Sequence, residues 1–114
     1  MSDRILKINE LILQQLGGII NREIEMPDIF ITITRVTTSA DLHYATVYIG
    51  VLPDDKLDYA VHKLNLLAKR LRAELAEKIV LRSVPKLEFR SDKTGQEAGD
   101  IDVLLDKIKS GQIN

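Results

Sequence analysis

Two alternating, β-branched runs separated by a short turn constrain this chain more than any other feature. Residues 29–37 read Ile-Phe-Ile-Thr-Ile-Thr-Arg-Val-Thr, with Ile29, Ile31 and Ile33 on one face. Val36 breaks that parity, which predicts a bulge near Thr34-Arg35. Thr38-Ser39-Ala40-Asp41 makes a turn, and residues 43–51 alternate again. Ala45, Val47, Ile49 and Val51 point one way; Tyr44, Thr46, Tyr48 and Gly50 point the other. Two such strands so joined predict an antiparallel hairpin. A sheet with one apolar face must be covered, and the rest of the chain supplies the cover.

Ile5, Ile8, Ile12, Leu16, Ile19 and Ile20 recur every three or four residues and predict an N-terminal amphipathic helix, with Ser2 as its N-cap. Gly17-Gly18 interrupt it and predict a bend or close packing against the sheet. Met26-Pro27-Asp28 ends the element. After Leu52-Pro53, Asp54 or Asp55 is placed to cap a second helix. From Leu57 through Ala60, Leu64, Leu71 and Leu75 to Ile79 the helical spacing persists, so periodicity predicts one long helix. Val84-Pro85 stops it. Lys86 to Arg90 then alternates with Leu87 and Phe89 inward, and the preceding Pro85 confines this segment to an edge strand or a strand's start. Residues 91–99 read as a polar loop. Ile101, Leu104, Leu105 and Ile108 predict a terminal helix, capped by Asp100 and closed by Gly111. The order αββα(α)β plus a C-terminal helix predicts a two-layer α+β fold, with residues 1–114 as a single domain.

Composition narrows the chemistry. Without cysteine, disulfides, thiolate catalysis and zinc fingers are excluded. No apolar run approaches a membrane span, and the N-terminus does not resemble a secretory signal, so a cytoplasmic protein is expected. No His-Glu-x-x-His, Gly-x-Ser-x-Gly or P-loop pattern occurs. His43 and His62 fall on a strand and a helix, and His62 reads as solvated. Asp54, Asp55 and Asp58 suit a helix start. Asp100, Asp102 and Asp106 do not match an EF-hand loop. The expectation is no enzyme, no metal, no cofactor and no small-molecule substrate.

Charge is distributed unevenly. The chain carries a net −1 overall, but −4 over residues 1–61, +5 over 62–93 and −2 over 94–114. Within the basic block, Lys69, Arg70, Arg72 and Lys78 fall on the second helical stretch, and Arg82, Lys86 and Arg90 follow into the last strand. Such a run can line a groove between helix and sheet edge and track a phosphate backbone. It can equally be an ordinary solvated helix face, with Glu74 and Glu77 as ion-pair partners and Arg70–Glu74 at i,i+4. Aromatic residues are few, which favours backbone contact over base stacking. A small protein-interaction domain dimerising through a sheet edge is the competing reading, against which Pro85, Lys86 and Arg90 defend the last strand.

Several stretches resemble the ribosome-binding factor A family. Arg4-Ile5 and the helix after it resemble the family's start, and Ile31-Thr32-Ile33-Thr34-Arg35-Val36 its first strand. The run from Ser39-Ala40-Asp41-Leu42 to Ala45-Thr46-Val47-Tyr48 is similar to its most recognisable segment. Leu81-Arg82-Ser83-Val84-Pro85-Lys86-Leu87-Glu88-Phe89, followed by Asp92, resembles the segment that closes its core. The likeness spans roughly residues 4–110. It implies a type II KH-like fold, a three-stranded sheet backed by helices. It further implies a non-enzymatic factor that binds the free small (30S) ribosomal subunit and its 16S rRNA during late maturation, with links to rRNA processing and cold adaptation. KH domains carry a Gly-x-x-Gly loop between two helices, and this family an Ala-x-Gly kink. Here the stretch is Leu66-Leu67-Ala68-Lys69-Arg70, without glycine. Close backbone approach to phosphate is therefore disfavoured. The RNA-binding set expected instead is Lys69, Arg70, Arg72, Lys78, Arg82, Lys86 and Arg90, on a monomer.

Overall fold

The computed structural model describes residues 3–92. Helix α1 (Asp3–Glu23) buries Ile8, Ile12, Leu16, Ile19 and Ile20, the predicted stripe. It runs unbroken through Gly17-Gly18, and neither glycine packs closely against the sheet as one expectation had it. A Cβ at Gly17 would meet nothing within 4 Å, and one at Gly18 would meet the tip of Arg22 at 3.2 Å. The predicted Ser2 cap and the C-terminal helix with its Asp100 cap lie outside the described residues.

Strands β1 (Phe30–Thr38) and β2 (Tyr44–Leu52) form the predicted antiparallel hairpin. The register shifts between Ile33 and Arg35, so Thr34 is the extra residue of a bulge that returns Val36 to the core. The connecting turn closes on Asp41, whose Oδ1 accepts the Ser39 hydroxyl at 2.6 Å and the His43 amide at 3.0 Å. Leu42 takes φ 64° there.

Asp54 and Asp55 lie in a 3₁₀ turn (Asp54–Lys56) that leads into α2 (Leu57–Leu66). Neither aspartate caps: the N-cap positions are Pro53 and Lys56, and neither makes a side-chain cap bond. The long helix predicted from periodicity is two helices. It breaks at Leu67 (φ −98°, ψ 5°), whose amide donates to both Lys63 and Leu64 carbonyls, and resumes as α3 (Ala68–Lys78). The break forms without glycine because Leu67 stays at negative φ. It redirects the stripe. Ala60 and Leu64 on α2 and Leu71 and Leu75 on α3 are all fully buried, α2 against β2 and β3, α3 against α1 and β3. Helix α3 ends at Lys78, before Val84-Pro85, because Ile79 turns extended and buries its side chain.

Strand β3 (Lys86–Ser91) lies parallel to β2, giving the order β1-β2-β3. A parallel neighbour requires a crossover, which α2 and α3 provide. All three helices pack on one face, over Val36, Ala45, Val47, Ile49, Val51, Leu87 and Phe89. This is the α+β architecture with a three-stranded sheet, in the order αββααβ. None of the described helices is long and apolar enough to cross a membrane.

Candidate nucleic-acid interface

The seven cations of the basic block do not share one surface. Alternation along β3 sends Leu87 and Phe89 into the core beneath the helices, so Lys86 and Arg90 leave on the opposite, open face. Lys69, Arg70 and Lys78 are exposed on α3, on the helical side. Of the two readings the sequence left open, a groove between helix and sheet edge would have its cations on both sides of the sheet.

The seven also differ in how far they are engaged. Lys69 and Lys78 project into solvent. Arg70 reaches Glu23 on α1 at 3.5 Å and Glu74 at 3.6 Å, the latter being the i,i+4 pair expected from the sequence. That cluster joins α1 to α3. The carboxyl of Glu23 lies below its usual pKa, chiefly through its hydrogen bond with Glu74. Glu74 is raised, chiefly by the same bond and by the cost of desolvation. Arg72 is committed to structure. Its Nε and Nη2 both donate to the Val84 carbonyl, at 2.9 and 2.7 Å. It thereby pins the loop that carries Arg82 into Lys86. Arg90 donates to Glu88 at 3.1 Å across exposed side chains.

Arg82 joins residues from distant parts of the chain. It lines a cavity of about 200 Å³ with Arg4 of α1, Asp41, Leu42 and His43 of the hairpin turn, and Leu81, Ser83 and Pro85. In the sequence Arg4 stands out only as part of the Arg4-Ile5 start that resembles the family's, and nothing in its neighbourhood announces that it lines a cavity with Arg82. The Asp41 carboxyl is held below its usual range, first by the Ser39 hydroxyl and then by the His43 amide. His43 Nδ1 lies 3.4 Å from Asp41.

Where a groove beside β3 would need a free strand edge, the edge is occupied. Asn65, at the end of α2, donates from Nδ2 to the Phe89 carbonyl at 3.0 Å and accepts the Phe89 amide on Oδ1 at 2.8 Å. The same pair of bonds protects β3 against pairing with another strand at that point. Asn65 carries no sequence signal. Arg35 likewise stands out only in the structure: the bulge turns its guanidinium over the Tyr48 ring, 3.9 Å from the centroid.

A family model described as Ribosome-binding factor A matches residues 4–105. The chain belongs to the ribosome-binding factor A family. A ribosome-binding factor A of Akkermansia muciniphila is 33% identical over 108 residues, covering 95% of this chain and 86% of that protein. Among solved structures, the crystal structure of ribosome-binding factor A from Thermus thermophilus superposes with a TM-score of 0.68 at 25% identity, over 76% of this chain and 94% of that one. A Thermus thermophilus ribosome-binding factor A homology model, fitted into the cryo-EM map of a 30S complex, gives 0.63 at 27% identity over 74% and 90%.

Proposed function

We propose that this chain binds the free small ribosomal subunit as a monomeric cytoplasmic assembly factor, contacts its 16S rRNA, and assists late maturation and rRNA processing. The observation that carries this reading is the family match, which spans residues 4–105. The 30S complex of the Thermus relative supplies the partner. Binding is electrostatic. Exposed Lys69, Lys78 and Arg82 neutralise phosphates on the helical side and at the cavity rim, and Lys86 and Arg90 do so on the open sheet face. Arg70 contributes when its carboxylate partners release it; exposed pairs of this kind are weak, roughly 0–1 kcal/mol. Arg72 acts indirectly by fixing the loop before β3. Any adaptation to cold follows from the same assembly role.

Co-sedimentation with purified small subunits, large subunits and whole ribosomes across a salt series tests the proposal. The expected result is salt-sensitive binding to free small subunits, each phosphate contact adding roughly −0.7 to −0.9 to the log–log salt slope. Equal binding to all three particles, or none at low salt, would overturn it.

A further inference from the structure

Helices cover one face of the sheet, and no described element covers the other. The hairpin register composes that open face in rows. Phe30 stands beside Leu52, then Thr32 beside Gly50, then Arg35 beside Tyr48 and Arg90, then Thr37 beside Thr46 and Glu88, and finally Tyr44 beside Lys86. Three of the chain's five Phe and Tyr residues therefore share this surface, although aromatics are sparse in the sequence. Phe30 is 76% exposed, Leu52 64% and Tyr44 58%. Tyr48 is half-buried beneath the Arg35 guanidinium. On this face Arg35, Lys86 and Arg90 stand against two carboxylates, Glu88 and Asp92, the latter accepting the Thr34 hydroxyl beside the bulge, so the face is net basic by one charge.

We infer that this open sheet face binds single-stranded RNA, with bases stacked on Tyr44, Phe30 and the Arg35–Tyr48 pair and phosphates held by Lys86 and Arg90. The inference deepens the proposed function by naming a surface and a form of RNA, and it rests on that reading. The chemistry is specific to an unpaired strand. Successive aromatic rows lie four residues apart on β2, about 13 Å at the rise of a strand. Flat apolar rings at that spacing, interleaved with cations, suit splayed bases joined by phosphates. A guanidinium plane stacks on a base as an aromatic ring does, so Arg35 over Tyr48 extends the platform outward. A purely apolar partner would leave Arg35, Lys86 and Arg90 desolvated without counter-charges, and a duplex would present too few unstacked bases.

The chain has no tryptophan, and two of its three tyrosines lie on this face, so tyrosine emission reports stacking directly. The full chain is titrated at low salt with a short, fluorescently labelled oligouridylate, and both tyrosine quenching and the label's anisotropy are followed. Quenching is expected on binding. Tyr44→Ala and Tyr48→Ala should each weaken affinity by about tenfold or more. Tyr44→Phe and Tyr48→Phe, which retain the ring and guard against a folding defect, should bind as the wild type does. Glu88→Gln should tighten binding by removing the opposing charge that lies between Lys86 and Arg90. Absence of quenching, or alanine variants with unchanged affinity, would overturn the inference. The subunit reading is tested separately. Sedimentation with small subunits without oligonucleotide binding sinks the sheet-face inference and leaves that reading standing; oligonucleotide binding without sedimentation does the reverse.

Discussion

Individual positions in this chain show how much a side chain's role depends on what it meets. Gly17 sits inside α1 with open space where a Cβ would stand. Its replacement by alanine is expected to raise stability by about 0.5–1 kcal/mol, since glycine holds a helix interior poorly and nothing here requires it. Equilibrium urea unfolding of Gly17→Ala checks this, and a loss of stability would show that the missing side chain matters. Arg72 reads from sequence as one cation among seven, yet its two bonds to the Val84 carbonyl make it a brace. Arg72→Ala should lower stability by about 1–3 kcal/mol by stranding that carbonyl. Asp41 gives a pH signature. Its folded pKa is depressed below the ordinary 3.8, chiefly by the Ser39 hydroxyl. A depressed carboxyl contributes stability that is fully present above pH 3.8 and lost as pH falls through the folded value. The stability gap between wild type and Asp41→Asn should therefore be constant near neutrality and narrow below that pH in acid-unfolding curves.

Between elements, the decisive joint is the end of α2. Asn65 satisfies both backbone groups of Phe89, whose side chain is the most deeply buried of the last strand. Asn65→Ala is expected to cost about 2–3 kcal/mol, because two part-buried polar groups lose partners at once. Asn65→Asp keeps an acceptor for the amide but sets a carboxylate against the Phe89 carbonyl, so it should fare no better. Denaturant unfolding measures the loss, and amide exchange at Phe89 localises it; protection as strong as in the wild type would mean that water or another group had taken over. The helix break lies two residues beyond this joint, at Leu67. The bend at Leu67 aims α2 at β3 and α3 at α1, and one straight helix could not bury Leu64 and Leu75 against both.

Across the whole molecule, charge sorts into layers. The sheet separates the α3 cations from those on the open face, so the two sets can act on different parts of a large polyanion. Reversing Lys69 and Lys78 together to glutamate should weaken small-subunit binding several-fold and flatten its salt slope by roughly 1.4–1.8 if both contact phosphate. The co-sedimentation series provides the measurement, with circular dichroism to confirm an intact fold. An unchanged slope would remove α3 from the interface and leave the open face as the main contact. Because Lys69 and Lys78 make no ion pair among the described residues, the change should cost little stability.

Periodicity was sufficient to assign side chains to faces within each element. The α1 stripe, the hairpin, the bulge announced by Val36 and the inward pair Leu87 and Phe89 are all local patterns, since a period of 3.6 or 2 assigns each side chain to a face before any partner is known. The family was legible in a different way, through the resemblance of the Ser39 to Tyr48 motif and the Leu81 to Phe89 run to its characteristic segments. The break at Leu67 was not readable, because helical spacing continues through it and no glycine or proline marks it. The Asn65 clamp, the Arg72 brace and the meeting of Arg4 with Arg82 depend on residues brought together from far apart. The split of the basic block follows from strand alternation combined with the packing of every helix on one side. The aromatic face depends on register: Phe30, Tyr44 and Tyr48 are scattered in sequence, and pairing β1 with β2 gathers them onto one surface.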